Sequence, residues 1–165
     1  MCKRTLKPSK DPVSDDDIIK EALNCLKKRF RRGKVITKPA ETIDYLQLKL
    51  AEREHEVFCV MYLDNRHRIL CFEELFRGSI DSTHVYPREI VKLALQHNAA
   101  AVILAHNHPS GSAEPSVADR QITQCIKSAL ELVDIRVLDH IVIGVMETVS
   151  LAERGLMDTG KGDIS

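Results

Sequence analysis

The sequence has no excess of charge of either sign. Its 165 residues contain 24 Lys and Arg against 24 Asp and Glu, so net charge gives no reason to expect an acidic or a basic partner. No apolar stretch approaches the ~20 residues of a membrane span. The polar N-terminus also lacks the apolar core of a signal peptide. We therefore expect a cytoplasmic protein without a membrane partner.

The sequence also lacks any C-x-x-C pair. Its cysteines are odd in number and widely spaced: Cys2, Cys25, Cys59, Cys71 and Cys125. This pattern argues against a disulfide framework or a cysteine zinc site and is typical of small buried hydrophobic residues in a reducing compartment. A chain of this length buries roughly two thirds of its unfolded surface and folds without such cross-links.

What the sequence does contain is an alternation of helical and strand patterns. Ser14 and Asp17 form a capping box that begins an amphipathic helix. A second helix starts at Pro39, a third at Pro87 and a fourth at Ser116. Apolar or alternating runs at 56–64, 65–75, 99–105 and 135–145 predict strands, the first two joined as a hairpin. The pattern predicts an α/β sandwich with a mixed sheet.

The stretch AHNHPSGSAEPSVAD, residues 105–119, is polar and links a buried strand to a helix. His106 and His108 are two residues apart, so both side chains leave an extended chain on the same face. Asp119 falls on the first helical turn, on the edge of the core-facing stripe. Two imidazoles and one carboxylate with an open fourth position are typical of catalytic Zn²⁺. Hydrolysis would also need an oxyanion donor, for which Ser116 is placed, and a base, for which Glu56 is the best candidate.

Simpler interpretations of these residues stay open. Ser116 and Asp119 also fit a helix cap, and a His-x-His pair is often structural. His140 is either a fourth ligand or active-site neighbour, or a core-edge histidine bonded to Asp139 or backbone. We expect the remaining histidines to lie at the surface: His55, His67, His84 and His97. The basic run at 27–34 is either a solvated helix end or a phosphate-contacting patch.

The motif formed by Glu56, HNHP and SVAD resembles the JAMM (MPN+) metalloprotease motif, and residues 40–157 resemble the RadC-type branch of that superfamily. The resemblance implies that His106, His108 and Asp119 bind Zn²⁺, that Glu56 is the general base and that Ser116 is the oxyanion partner. Glu52 and Glu54 lie close enough to compete for the role of base. The implied fold is a deaminase-like (JAB/MPN) three-layer sandwich.

Composition, sequence pattern and the resemblance together divide the chain. We expect a flexible arm at 1–13, an amphipathic helix and basic linker at 14–38, a JAB/MPN-like metal-binding domain at 39–157 and a flexible tail at 158–165. The string HNH does not indicate an HNH nuclease, whose motif residues are dispersed, and a zinc deaminase would need H-x-E and P-C-x-x-C.

The resulting hypothesis is a zinc-dependent hydrolase acting on a peptide or isopeptide. One alternative is a nucleic-acid-associated DNA-repair accessory module with a structural or vestigial metal site, and another is a metal-stabilised interaction domain. The oligomeric state is not predicted, and Fe²⁺, Mn²⁺ or Co²⁺ suits the same ligands.

Overall fold

The computed structural model describes residues 14–36, 38–51, 53–78 and 85–157. The predicted arm and tail, Glu52 and His84 lie outside these ranges. The elements follow in the order α1 (Asp15–Arg29), α2 (Pro39–Leu50), β1 (Val57–Leu63), β2 (Ile69–Arg77), α3 (Pro87–Gln96), β3 (Ala101–Asn107), α4 (Val117–Glu131), β4 (Arg136–Ile143) and β5 (Thr148–Ser150).

The strands form one mixed sheet in the order β2-β1-β3-β4-β5. β1 is antiparallel to both neighbours, β3 and β4 run parallel, and β5 returns antiparallel to β4. The predicted hairpin and mixed sheet are confirmed. β5 was not predicted, because three residues are too few to produce a periodic signal.

Helices cover both faces of the sheet. Alternate residues of β1 (Val57, Cys59, Met61 and Leu63) pack toward α2, while Phe58, Val60 and Tyr62 belong to the core under α3 and α4. Burial on both faces explains why β1 and the first five residues of β3 are apolar throughout. α1 packs on α2 by stacking Phe30 against Tyr45 with ring centroids 4.5 Å apart. The predicted α/β sandwich is therefore confirmed, and it is consistent with a JAB/MPN domain.

The helix boundaries follow the predicted signals. Ser14 caps α1 by accepting a hydrogen bond from the Asp17 backbone N–H, and Pro39 and Pro87 occupy the first turns of α2 and α3. Asn98 ends α3 in a left-handed conformation with φ 53°. Among the described residues, none of the helices combines the length and apolar composition that crossing a membrane requires.

The loop after β3 is held close to the end of β4. The backbone N–H of His108 donates to Ile143 O at 2.8 Å, and that of Val145 donates to Gly111 O at 3.1 Å. Gly111 has φ 100°. At Gly144, a Cβ atom would lie only 2.3 Å from Gly111 O. The path of this loop therefore requires the absence of a side chain at residue 144.

Candidate metal centre

The structure brings His106, His108 and Asp119 together at the carboxyl end of β3. The Nε2 atoms of the two histidines are 3.0 Å apart. The Asp119 carboxylate lies 3.1 Å from His106 through Oδ1 and 3.4 Å from His108 through Oδ2. His106 and Asp119 are buried, whereas the His108 side chain is 14 % exposed. The cluster therefore has a buried floor and one member that reaches solvent.

The hydrogen bonds of His108 leave its Nε2 without a proton. Nδ1 lies 2.9 Å from the carbonyl oxygen of Ser112. A carbonyl only accepts, so Nδ1 carries the proton of the neutral ring. Nε2 then presents its lone pair to the cluster.

A longer chain of contacts fixes His106 in the same way. The Thr123 hydroxyl donates its one proton to Asp119 O at 2.5 Å, so it accepts from Nδ1 of His140, 2.6 Å away. Burial, followed by the charge of His106, lowers the pKa of His140 well below its usual value. Nε2 of the neutral His140 ring consequently accepts from Nδ1 of His106 at 2.8 Å, which leaves His106 Nε2 as a free lone pair.

Asp119 caps α4 and faces the histidines at once. Its Oδ2 accepts from the backbone N–H and the hydroxyl of Ser116, each at 2.7 Å. Its buried Oδ1 has no hydrogen-bond donor among the described residues. Burial opposes ionisation of this carboxyl, but interactions with His106, His108 and Ser116 outweigh it and hold the pKa of Asp119 far below its ordinary value. Asp119 is therefore a carboxylate at neutral pH.

With both histidines neutral, three lone pairs thus converge without a hydrogen between them, an arrangement that a cation would stabilise. Zinc bonds of about 2.0–2.1 Å in tetrahedral geometry separate the ligand atoms by about 3.3 Å. The separation of the two Nε2 atoms, 3.0 Å, and that of His106 Nε2 from Asp119 Oδ1, 3.1 Å, are close to this value. The other carboxylate oxygen, Oδ2, lies 3.4 Å from His108 Nε2. Two imidazoles and a carboxylate also suit several other first-row metals. The group could bind a metal ion, as the sequence predicts.

Without a metal, the same cluster attracts a proton. The hydrogen bond with Asp119 raises the pKa of His108, although burial opposes this effect. The bond to Ser112 and the charges of Asp119 and Glu56 act in the same upward direction. A bound metal ion would therefore compete with a proton for His108.

Glu56 is half-buried directly before β1, and its charge reaches His108. Asn107, between the two histidines, holds this segment in place. Its side-chain oxygen accepts from the Val57 backbone N–H at 2.8 Å, and its amide donates to His55 O at 3.2 Å. Glu54 is exposed. Asn107 therefore links the segment of β3 that carries the two histidines to the chain that carries Glu56.

His140 is a neighbour of the site rather than a fourth ligand in this arrangement. Both ring nitrogens are occupied, by His106 and by Thr123. The hydrogen bond between His140 and Asp139 is made by the His140 backbone N–H, which donates to Oδ1 at 2.7 Å, whereas the His140 ring bonds to His106 and Thr123. The roles of Thr123 and Asn107 were not predicted. The spacing of four residues between Asp119 and Thr123 was the available signal, because it places both on one helix face.

Some of the surface assignments also hold. His55 is exposed, as are Lys28, Arg31, Arg32 and Lys34. His67 and His97 are half-buried rather than fully at the surface. The ring of His97 packs 5.5 Å from the ring of Tyr62.

Comparison with known proteins agrees with this geometry. A family profile described as a RadC-like JAB domain matches residues 36–156. A UPF0758 protein of Vibrio cholerae is 57% identical over 138 residues, which cover 84% of this chain and 87% of that protein. UPF0758 proteins of Nitrosococcus oceani and Aeromonas hydrophila are each 62% identical, over 80% and 79% of this chain. The chain spans less than two thirds of those two relatives, 59% and 58% of their lengths.

Proposed function

The chain belongs to the RadC-like JAB domain family, and from that premise we propose that it is a zinc-dependent hydrolase of amide bonds in peptides or isopeptides. The observation that carries the proposal is the convergence of three buried or half-buried acceptor atoms, each fixed from behind. The relatives are named only as UPF0758 proteins, so the reaction is inferred from the site.

In this proposal His106, His108 and Asp119 hold the metal. A divalent cation at such a site polarises a carbonyl and lowers the pKa of water. The ligands cannot turn away from it, because His140, Ser112 and Ser116 each occupy the opposite side of one of them. Such support from behind the ligands typically raises affinity and fixes their orientation.

Glu56 supplies proton transfer. Its carboxylate accepts a proton from the attacking water and returns it to the amine that leaves when the C–N bond breaks. The Asn107 side chain keeps the flanking backbone in place for this role. The charge of Glu56 reaches His108, the ligand whose side chain is 14 % exposed, so a substrate that approaches His108 from solvent would come near the base.

Ser116 donates two hydrogen bonds to Asp119 Oδ2, so one of them can be redirected to a substrate oxygen without releasing the carboxylate. Its backbone N–H holds Asp119 Oδ2 at 2.7 Å independently of the hydroxyl. The hydroxyl can therefore turn toward the oxyanion that develops on the substrate while the carboxylate keeps its position. Ser116 is exposed, which leaves this movement open.

The deciding experiment is Glu56→Gln, measured on quenched peptide substrates and on lysine ε-amide substrates. We expect hydrolysis to fall by about 10²–10⁴-fold, the usual contribution of a general base, while metal content and melting temperature stay as in the wild type. Glu54→Gln and Glu52→Gln are matched controls and should retain activity. An unchanged rate in Glu56→Gln, or no hydrolysis by the metal-loaded wild type, contradicts the proposal.

A second candidate is a nucleic-acid-associated accessory role, favoured by the exposed cations at the end of α1: Lys28, Arg31, Arg32 and Lys34. Binding through phosphates would be strongly salt-dependent. It predicts that reversing Lys28, Arg31 and Arg32 abolishes DNA retention, whereas reversing three exposed cations elsewhere does not: Arg88, Lys92 and Arg136. Retention that survives the first triple variant excludes this role for the basic segment.

A further inference from the structure

A second group of metal-ligating side chains lies away from the His106 cluster. Donor atoms of Cys71, Glu73 and His97 all lie within 4.8 Å of one another. Val102, rather than His106, is the β3 residue at this level of the sheet, since it pairs with Tyr62 and Tyr62 pairs with Cys71. Four residues of strand separate Val102 from His106, which corresponds to about 13 Å. The two groups share no residue.

Strand alternation and a helix end bring the second group together. Cys71 and Glu73 are two residues apart on β2, so their side chains leave on one face. The Cys71 thiol donates to Glu73 Oε1 at 3.1 Å. His97 is the C-cap of α3, the helix that packs on this face. All three are half-buried, so they are held in place and still reachable by a small ion.

The neighbouring tyrosine is an independent sign that a polar group is missing here. Tyr62 is fully buried, and its hydroxyl has no hydrogen-bond partner among the described residues. The ring lies 5.5 Å from that of His97. Burial raises the pKa of Tyr62, and the charges of Glu73 and Cys71 raise it further, so the hydroxyl is within electrostatic reach of these two side chains. An unsatisfied buried hydroxyl costs about 1–3 kcal/mol, a cost that a ligand would remove.

We propose that Cys71, Glu73 and His97 form a second site for a divalent cation of the zinc class, with the Tyr62 hydroxyl as a further polar contact. A thiolate, an imidazole and a carboxylate are zinc ligands, and the thiolate disfavours Mg²⁺ and Ca²⁺. On binding, the S–H bond of Cys71 is replaced by a sulfur–metal bond and the proton passes to solvent; nothing is oxidised or reduced. The ion would tie the end of α3 to the edge strand β2.

Cobalt(II) distinguishes this site from the first one. A thiolate bound to Co²⁺ gives a charge-transfer band in the near ultraviolet, and the His106 cluster contains no thiolate. Titration of the chelator-treated full chain should produce this band and reach two Co²⁺ per chain. His106→Ala should keep the band and lose one equivalent, whereas Cys71→Ser should lose the band and keep one. Cys25→Ser and Cys125→Ser, at exposed positions, are matched controls and should keep it.

Alkylation gives a second measurement that needs no variant. Zn²⁺ should slow modification of Cys71 at least tenfold, read by mass spectrometry of the labelled peptides, and leave Cys25 and Cys125 unaffected.

Tyr62→Phe should weaken Co²⁺ binding severalfold with the band retained. If Cys71→Ser does not fold, His97→Gln takes its place and should also remove the second equivalent. A wild type without the band, a band that survives Cys71→Ser, or unprotected Cys71 overturns the proposal.

Discussion

The Nδ1 atom of His106 lies 2.8 Å from the Nε2 atom of His140, and this contact decides which nitrogen of His106 faces the metal cluster. His140 accepts there because its other nitrogen donates to Thr123. The Thr123 hydroxyl in turn donates its proton to the backbone oxygen of Asp119. The orientation of one candidate ligand, His106, therefore depends on the Thr123 hydroxyl, which bonds to His140 and not to His106.

Replacing Thr123 by Val tests this dependence. Valine keeps the shape but leaves the His140 Nδ1–H without an acceptor, so the tautomer of His106 is no longer imposed. We expect metal affinity at the His106 cluster to fall about 10–100-fold, as for other residues behind metal ligands. Competition with a chelating dye in a Cys71→Ser background measures this site alone. Thr123→Ser keeps the hydroxyl and should stay close to wild type; equal affinities for all three proteins would refute the relay.

The cap of α4 can be compared with an equivalent cap at α1. Ser116 and Ser14 each accept from the backbone N–H of an aspartate three residues on, and each donates its hydroxyl to that aspartate. Ser116→Ala and Ser14→Ala should each lower the free energy of unfolding by about 1 kcal/mol, measured in urea. Only Ser116→Ala should reduce hydrolysis, and metal affinity should stay close to the wild type because the Ser116 backbone N–H still holds Asp119 Oδ2. Equal activity in the two variants would assign Ser116 a capping role alone.

The contact between Gly144 and the loop after β3 predicts a sharp effect of one methyl group. In Gly144→Ala the new Cβ would lie 2.3 Å from Gly111 O and 3.0 Å from Ala113 N. Both atoms are backbone, so the loop carrying His108 must move. We expect metal affinity to fall at least tenfold, about 1.4 kcal/mol. Gly155→Ala is the control: its φ of 68° makes alanine strained, but open space surrounds it, so stability should fall without loss of affinity.

Stability should also decline at alkaline pH through Cys59. Burial, assisted by the charge of Glu74, raises the pKa of this thiol from 9.0 to about 12. The folded state thus retains a proton that the unfolded state loses above pH 9, so stability falls as pH rises from about 9 to 12. The contribution is up to about 1.4 kcal/mol per pH unit. Urea denaturation of Cys59→Ala across this range should show a shallower slope, whereas Cys125→Ala should match the wild type.

Much of the fold is visible in local sequence patterns. β1 and the first five residues of β3 are apolar on both faces because helices cover both, and the proline and serine positions mark the helix starts. Register and layer assignment depend on contacts between distant segments. The pairing of Phe58 with His106 joins residues 48 positions apart, and no short-range pattern specifies it.

The same distinction applies to the site: local patterns predict some of its residues, and contacts between distant segments bring in the others. Two histidines on one face of an extended segment and an inward aspartate one turn into a helix follow from strand and helix periods. A helix cap and a metal ligand are alternative interpretations of Asp119 from the sequence, but the structure gives the carboxylate both kinds of neighbour: Oδ2 accepts from the Ser116 backbone N–H, and Oδ1 lies 3.1 Å from His106 Nε2. His140 comes from a different strand, and only the parallel pairing of Leu104 with His140 brings it behind His106.

The side chains of His106, Asn107 and His108, at the end of β3, alternate between the two faces of the strand. Odd and even positions serve different halves of the proposed chemistry, since the imidazoles face the metal cluster and the amide clamps the backbone flanking Glu56. Slipping the strand by a single residue would exchange the two sets. One register of β3 therefore fixes both the position of the imidazoles and the position of the backbone beside Glu56. A change of register would disrupt both at once.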